Sequence, residues 1–87
     1  DPQSAEAHGS LGLLYQEKDD LKRAIAEYNK ALDLNPNLVE AYGNRALINK
    51  ALGNRQLAIA DFEKFISMID DPEYIEIAKK QIAELQT

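Results

Sequence analysis

Apolar residues recur along this chain at steps of three and four. Leu11, Leu14 and Tyr15 share one helical face, and Ala24, Ile25, Tyr28, Ala31 and Leu32 share the next. At about 3.6 residues per turn such steps return side chains to one side, so the spacing predicts amphipathic helices. The rhythm is interrupted at EKDD (17–20), NPN (35–37), ALGN (51–54) and DDP (70–72). In these breaks Gly53 can take the left-handed conformation that ends a helix. Asp20, Asn54 and Asp71 are N-cap residues, and Pro72 fits the first turn of the last helix. The pattern predicts five helices, over 4–18, 21–34, 38–52, 55–69 and 72–85, and no strand. The fold class is therefore all-α.

Shifting the chain against itself by 34 residues aligns AEAHGSLGLL with VEAYGNRALI and AIAEYNKAL with AIADFEKFI. Identical pairs include Glu6/Glu40, Ala7/Ala41, Gly9/Gly43, Leu13/Leu47, Ala24/Ala58, Ile25/Ile59, Ala26/Ala60 and Lys30/Lys64. A period of this length marks an array of two-helix units. The first unit runs over 5–38 and the second over 39–72. Residues 1–4 read as the end of a preceding unit's turn, because Asp1 and Pro2 stand one period before Asn35 and Pro36. The chain thus reads as a piece of a longer array. Residues 73–87 carry a stripe of Ile75, Ala78, Ile82 and Leu85 with charged neighbours, and read as one capping helix that covers the last unit's apolar face.

In the first unit Leu11, Gly12, Tyr15, Ala24, Tyr28, Ala31 and Pro36 resemble the signature of the tetratricopeptide repeat. His8 departs from it, standing where the family prefers a large aromatic; the second unit has Tyr42 there. That unit departs further, with Arg45, Asn49 and Phe65 at signature places and its proline delayed to Pro72. The resemblance covers residues 5 to 72 and implies a right-handed superhelical α-solenoid, with Gly12 facing Ala24 and Ala46 facing Ala58 at close helix crossings. It also implies a scaffold or adaptor that binds an extended peptide or a partner helix on the concave surface lined by the first helix of each pair.

Placed on that register, the inward residues are Glu6, Gly9, Ser10, Leu13, Gln16 and Glu17, then Glu40, Gly43, Asn44, Leu47, Lys50 and Ala51. Gly9 and Gly43 are expected to leave the groove floor open. Leu13 and Leu47 offer apolar contact, Asn44 can bond both groups of a peptide backbone, and Glu6 and Glu40 make one rim negative. A basic or mixed-charge protein segment fits these residues better than an acidic one. The same residues would also serve as plain solvated faces. YGNRA at 42–46 resembles the second repeat of domains that clamp the C-terminal carboxylate of heat-shock chaperones. The clamp's lysines, asparagines and arginine fall here on Gly9, Leu13, Asn44, Tyr74 and Ala78, and Asn44 alone matches, which argues against a clamp. A second reading is an architectural spacer or a module that self-associates into a homodimer through the array edges and the capping helix; Phe65 and Ile77 would either dock against a second copy or fill the cap interface.

Charge and composition narrow the partners. Fifteen acidic and ten basic residues give a net charge of −5, against any general affinity for nucleic acid or anionic lipid. With no cysteine, a disulfide framework and a thiolate zinc site are excluded. No apolar run approaches the roughly 18 residues of a membrane helix, so membrane insertion is not expected. The start DPQSAEAHGS does not look like a signal peptide, and the reading favours a soluble, cytoplasmic protein while leaving the compartment open.

Candidate catalytic chemistry is thin. One histidine, His8, falls at a packing place. The pairs Asp19/Asp20 and Asp70/Asp71 read as turn and cap residues, with no third ligand for a cation. GNR occurs twice, at 43–45 and 53–55, but neither copy has the glycines of a phosphate loop. The expectation is a non-enzyme with no cofactor and no metal.

Overall fold

The computed structural model describes residues 4–87, so the reading of Asp1 and Pro2 lies outside the described residues. The chain forms α1 (Ala5–Glu17), α2 (Leu21–Leu34), α3 (Val39–Ala51), α4 (Arg55–Ser67) and α5 (Pro72–Gln86), with no strand among the described residues. Each end lies within two residues of the sequence expectation. None of these helices is long and apolar enough to cross a membrane.

The caps follow local chemistry. Ser4 Oγ accepts from the Ala7 amide at 3.2 Å, Asp20 Oδ1 from Arg23 at 3.4 Å and Asp71 Oδ1 from Glu73 at 3.0 Å. These bonds satisfy amides that the first helical turn leaves unpaired. Asn54 takes the N-cap place without a side-chain capping bond, and its Nδ2 donates to Asn49 Oδ1 at 3.3 Å. Gly53 has φ 81°, as its turn requires. One period earlier Asp19 has φ 61°, a conformation that Asp tolerates better than most residues. Both intra-pair turns thus close with one left-handed residue, and only the glycine was visible in sequence.

Packing pairs α1 with α2 and α3 with α4, sets α3 on α2, and lays α5 on α4. One buried cluster joins Ala24, Tyr28 and Leu32 of α2 to Ala41 and Ile48 of α3. A second joins Ala46 of α3, Ala58 and Phe62 of α4, and Ala78 and Leu85 of α5. The result is an all-α solenoid. Ala24, Ala46 and Ala58 have no exposed surface, so a larger side chain at any of them would force a helix pair apart. Gly12 is tight for a different reason from the one its spacing implied: a Cβ there would lie 2.9 Å from the Tyr28 ring.

The second pair carries a polar core. Arg45 donates through Nε and Nη2 to the two carboxylate oxygens of Asp61, at 2.9 and 2.8 Å, and through Nη1 to Asn29 Oδ1 at 2.9 Å. Asn49, 2% exposed, donates to Asp61 Oδ2 at 3.1 Å. These bonds to Asp61 push the Arg45 guanidinium above its already high ordinary value, against the opposing effect of burial. Arg45 also stacks over the Tyr42 ring, 5.7 Å from its centroid. In the first pair the partner of Glu27 is His8, whose Nδ1 lies 2.7 Å from Glu27 Oε1. His8 therefore packs half-buried, as its place implied, and also binds a carboxylate.

Candidate functional site

Two hollows flank α3 and share Val39, Glu40 and Asn44 along their common wall. The first, of about 450 Å³, lies between α1 and α3. Glu6, Gly9, Ser10 and Leu13 line it from α1, and Tyr28 closes its floor. Asn37 and Leu38 enter from the loop before α3. The second, of about 650 Å³, lies between α3 and α5, over Phe62 and Phe65 of α4. Gly43 and Leu47 face it from α3, and Tyr74, Ile77, Ala78 and Gln81 from α5.

Polar groups line both hollows: Glu6 and Ser10 the first, Gln81 the second, and Glu40 and Asn44 both. Glu6 accepts from the Ser4 hydroxyl at 3.2 Å, while the Glu40 side chain makes no hydrogen bond or ion pair among the described residues. The Tyr28 hydroxyl donates to Gln16 Oε1 at 2.9 Å. Burial pushes the Tyr28 phenol above its ordinary value of 10.0; the nearby Asn44 amide opposes that shift and the charge of Glu17 adds to it. The α5 side adds the larger apolar side chains. Leu47, Tyr74 and Ile77 are exposed around it at 45%, 57% and 56%, over the half-buried Phe65. No lysine or arginine lines either hollow.

Eight of the twelve inward residues line these hollows: Glu6, Gly9, Ser10, Leu13, Glu40, Gly43, Asn44 and Leu47. Gln16, Glu17, Lys50 and Ala51 do not. Gln16 is held by Tyr28, and Lys50 Nζ donates to Gln81 Oε1 and lies 3.5 Å from Glu84 Oε2, tying α3 to α5. The two glycines also part company. A Cβ on Gly9 would meet nothing within 4 Å, whereas one on Gly43 would lie 3.2 Å from the Phe65 ring. The floor is therefore open at Gly9 and filled at Gly43. Phe65 packs against the second core cluster at the cap interface, one of the two places open to it, while Ile77 stays on the surface.

Sequence reasoning missed the floor residues Tyr28, Phe62 and Phe65 and the α5 wall. Running the 34-residue register on past Pro72 sets Tyr74, Ile77, Ala78 and Gln81 at the places of Glu40, Gly43, Asn44 and Leu47, and that signal would have found the wall. Elsewhere the acidic pairs are structural. Asp20 and Asp71 cap helices, Asp19 makes a turn, and no group of three or more His, Asp or Glu among the described residues could hold a metal ion.

The family model for the tetratricopeptide repeat matches residues 11–83. The chain is 35% identical over 66 residues to DnaJ homolog subfamily C member 7 of Mus musculus, a match covering 76% of this chain and 13% of that protein. It is 30% identical over 82 residues to the photosystem I assembly protein Ycf3 of Acaryochloris marina, covering 88% of this chain and 49% of that one. Among solved structures, a crystal structure of MamA superposes with a TM-score of 0.86 at 32% identity, covering 98% of this chain and 48% of that chain. The chain thus spans half or less of the length of each of these relatives.

Proposed function

The chain belongs to the tetratricopeptide repeat family, whose members mediate protein–protein interactions, and on that premise we propose that it is a non-enzymatic adaptor binding a peptide or helix of a partner protein in the groove along α3. The observation that carries this reading is the pair of hollows on the two sides of α3, which have Val39, Glu40 and Asn44 in common. Along these hollows backbone and side-chain contacts combine: Asn44 offers donor and acceptor to the backbone, and Leu13 and Leu47 offer apolar surface. A basic or mixed-charge segment suits it, because its carboxylates have no basic neighbour in the groove. The relatives include an organizing protein of the chaperones Hsp70 and Hsp90 from Arabidopsis thaliana and an assembly protein. A carboxylate clamp is not part of the proposal, since Gly9, Leu13, Tyr74 and Ala78 stand where its charged and amide side chains would be needed.

Panning a random peptide display library tests the reading. Peptides enriched on the chain are expected to lose binding to a Leu47→Asp, Asn44→Ala variant whose circular dichroism is unchanged. Enriched peptides that bind both proteins equally would move the interaction off the groove. A second reading, self-association through the α5 edge, is favoured by the adjacent exposure of Tyr74 and Ile77. Sedimentation decides it: a dimer reversed by Ile77→Glu supports it, and a monomer at all concentrations rejects it.

A further inference from the structure

The two halves of the groove differ in chemistry. Glu6 and Glu40 both line the α1–α3 hollow, and among the described residues no lysine or arginine makes an ion pair with either. At Gly9 the α1 backbone carries no side chain, and a Cβ there would meet nothing within 4 Å. A long side chain can therefore enter between the two carboxylates and lay its methylenes along Leu13. The α3–α5 hollow adds the larger apolar side chains, with Phe65 filling the space over Gly43 and Leu47, Tyr74 and Ile77 standing around it. Asn44, on the wall common to both, is placed to hold the backbone between the two anchors.

Resting on the groove reading above, we propose that the partner is an extended segment with two anchors, a lysine or arginine between Glu6 and Glu40 and a large apolar side chain in the α3–α5 hollow, about three residues apart. Charge complementarity selects the first anchor and apolar enclosure the second. The spacing follows from helix geometry. A helix with its side chains is about 10–12 Å across, so hollows on the two sides of α3 are separated by about that distance. An extended chain advances roughly 3.3 Å per residue and spans it in about three. A helical segment advances about 1.5 Å per residue and would need about seven.

Fluorescence anisotropy with synthetic peptides tests this. Each peptide has a Gly/Ser background and carries one Arg and one Phe, at separations from one residue to about seven. The tightest binding is expected at about three. Replacing the peptide's Phe by Ala should weaken it about ten-fold or more. Replacing its Arg should weaken it about three- to five-fold per lost carboxylate contact, an effect that fades as salt is raised. Glu6→Lys with Glu40→Lys should remove the Arg contribution and restore it for a peptide with Glu in that place. Ile77→Asp should remove the Phe contribution and leave that of Arg. An optimum at about seven, indifference to separation, no binding by any peptide, or no charge-swap rescue would each overturn the two-anchor proposal. Display peptides that need Leu47 and Asn44 yet lack both anchors would overturn it while the groove reading stands. Binding unaffected by Leu47→Asp and Asn44→Ala would overturn the groove reading itself.

Discussion

In the first helical pair Glu27 meets His8, with Leu11 and Tyr15 on the same helix as the histidine; one period later Asp61 meets Arg45 and Asn49. Leu11 and Tyr15 are thus replaced by Arg45 and Asn49 in step with each other, and both new groups converge on one carboxylate. Among the described residues no buried side-chain polar atom lacks a hydrogen-bond partner. A repeat can therefore exchange apolar packing for polar bonds when every member of the network is satisfied. The floor residues show the same coordination. Ala31 of the first pair becomes Phe65 in the second, and of the two matched glycines the one beside the phenylalanine is covered.

The largest test of this contrast removes its centre. Asp61→Ala should cost about 3 kcal/mol by urea unfolding, because it strands the half-buried Arg45 charge and the buried Asn49 amide. Adding Arg45→Leu should recover most of that loss, since an apolar pair can replace a buried ion pair at little cost. A double variant no more stable than Asp61→Ala would show that the network acts through something other than satisfied charge.

The glycines supply a graded set. Gly12→Ala should cost about 1–2 kcal/mol, because its Cβ would press on the buried Tyr28 ring. Gly43→Ala should be near neutral, with gained helix propensity offset by a shift of the half-buried Phe65. Gly9→Ala should stabilise by about 0.5–1 kcal/mol, since the new methyl enters open space. Thermal melts of the three variants check the ranking, and a destabilised Gly9→Ala would contradict the open floor.

Why some of this was legible in the sequence and some was not follows from how far each interaction reaches. Helices, breaks and the caps at Asp20 and Asp71 depend on neighbours a few residues away, so spacing and residue type revealed them. The inward residues of α1 and α3 follow from register. The cap expected at Asn54 did not form; its side chain instead meets Asn49 across the turn, a contact that residue type alone does not reveal. Tyr28 over Gly12 and Phe65 over Gly43 are contacts between helices, and no local pattern shows which ring covers which glycine.

Two smaller effects come from titration. Hydrogen bonding from His8 holds the Glu27 carboxyl below its ordinary value of 4.5, with burial opposing and Lys30 assisting. A depressed folded value means the contribution is present above 4.5 and is lost as pH falls through the folded value. Glu27→Gln should therefore flatten the acid limb of a plot of stability against pH. The Tyr28 phenol is raised, so its contribution is complete below its ordinary value of 10.0 and declines as pH rises beyond it. Tyr28→Phe should lessen the alkaline loss, and Phe62, at the matched place in the second pair, can contribute none.

The helix α3 gives Ala41 and Ile48 to one cluster and Ala46 to the other. In a structure whose units touch only their neighbours, such a helix is what makes unfolding all-or-none. Its amides should exchange with solvent slowest, while α1 and α5 open first at the two ends. A segment bound along α3 would then protect the least mobile part of the molecule while its two anchors tie down the most mobile parts. Binding should register as slowed exchange at the ends, and little change at the centre.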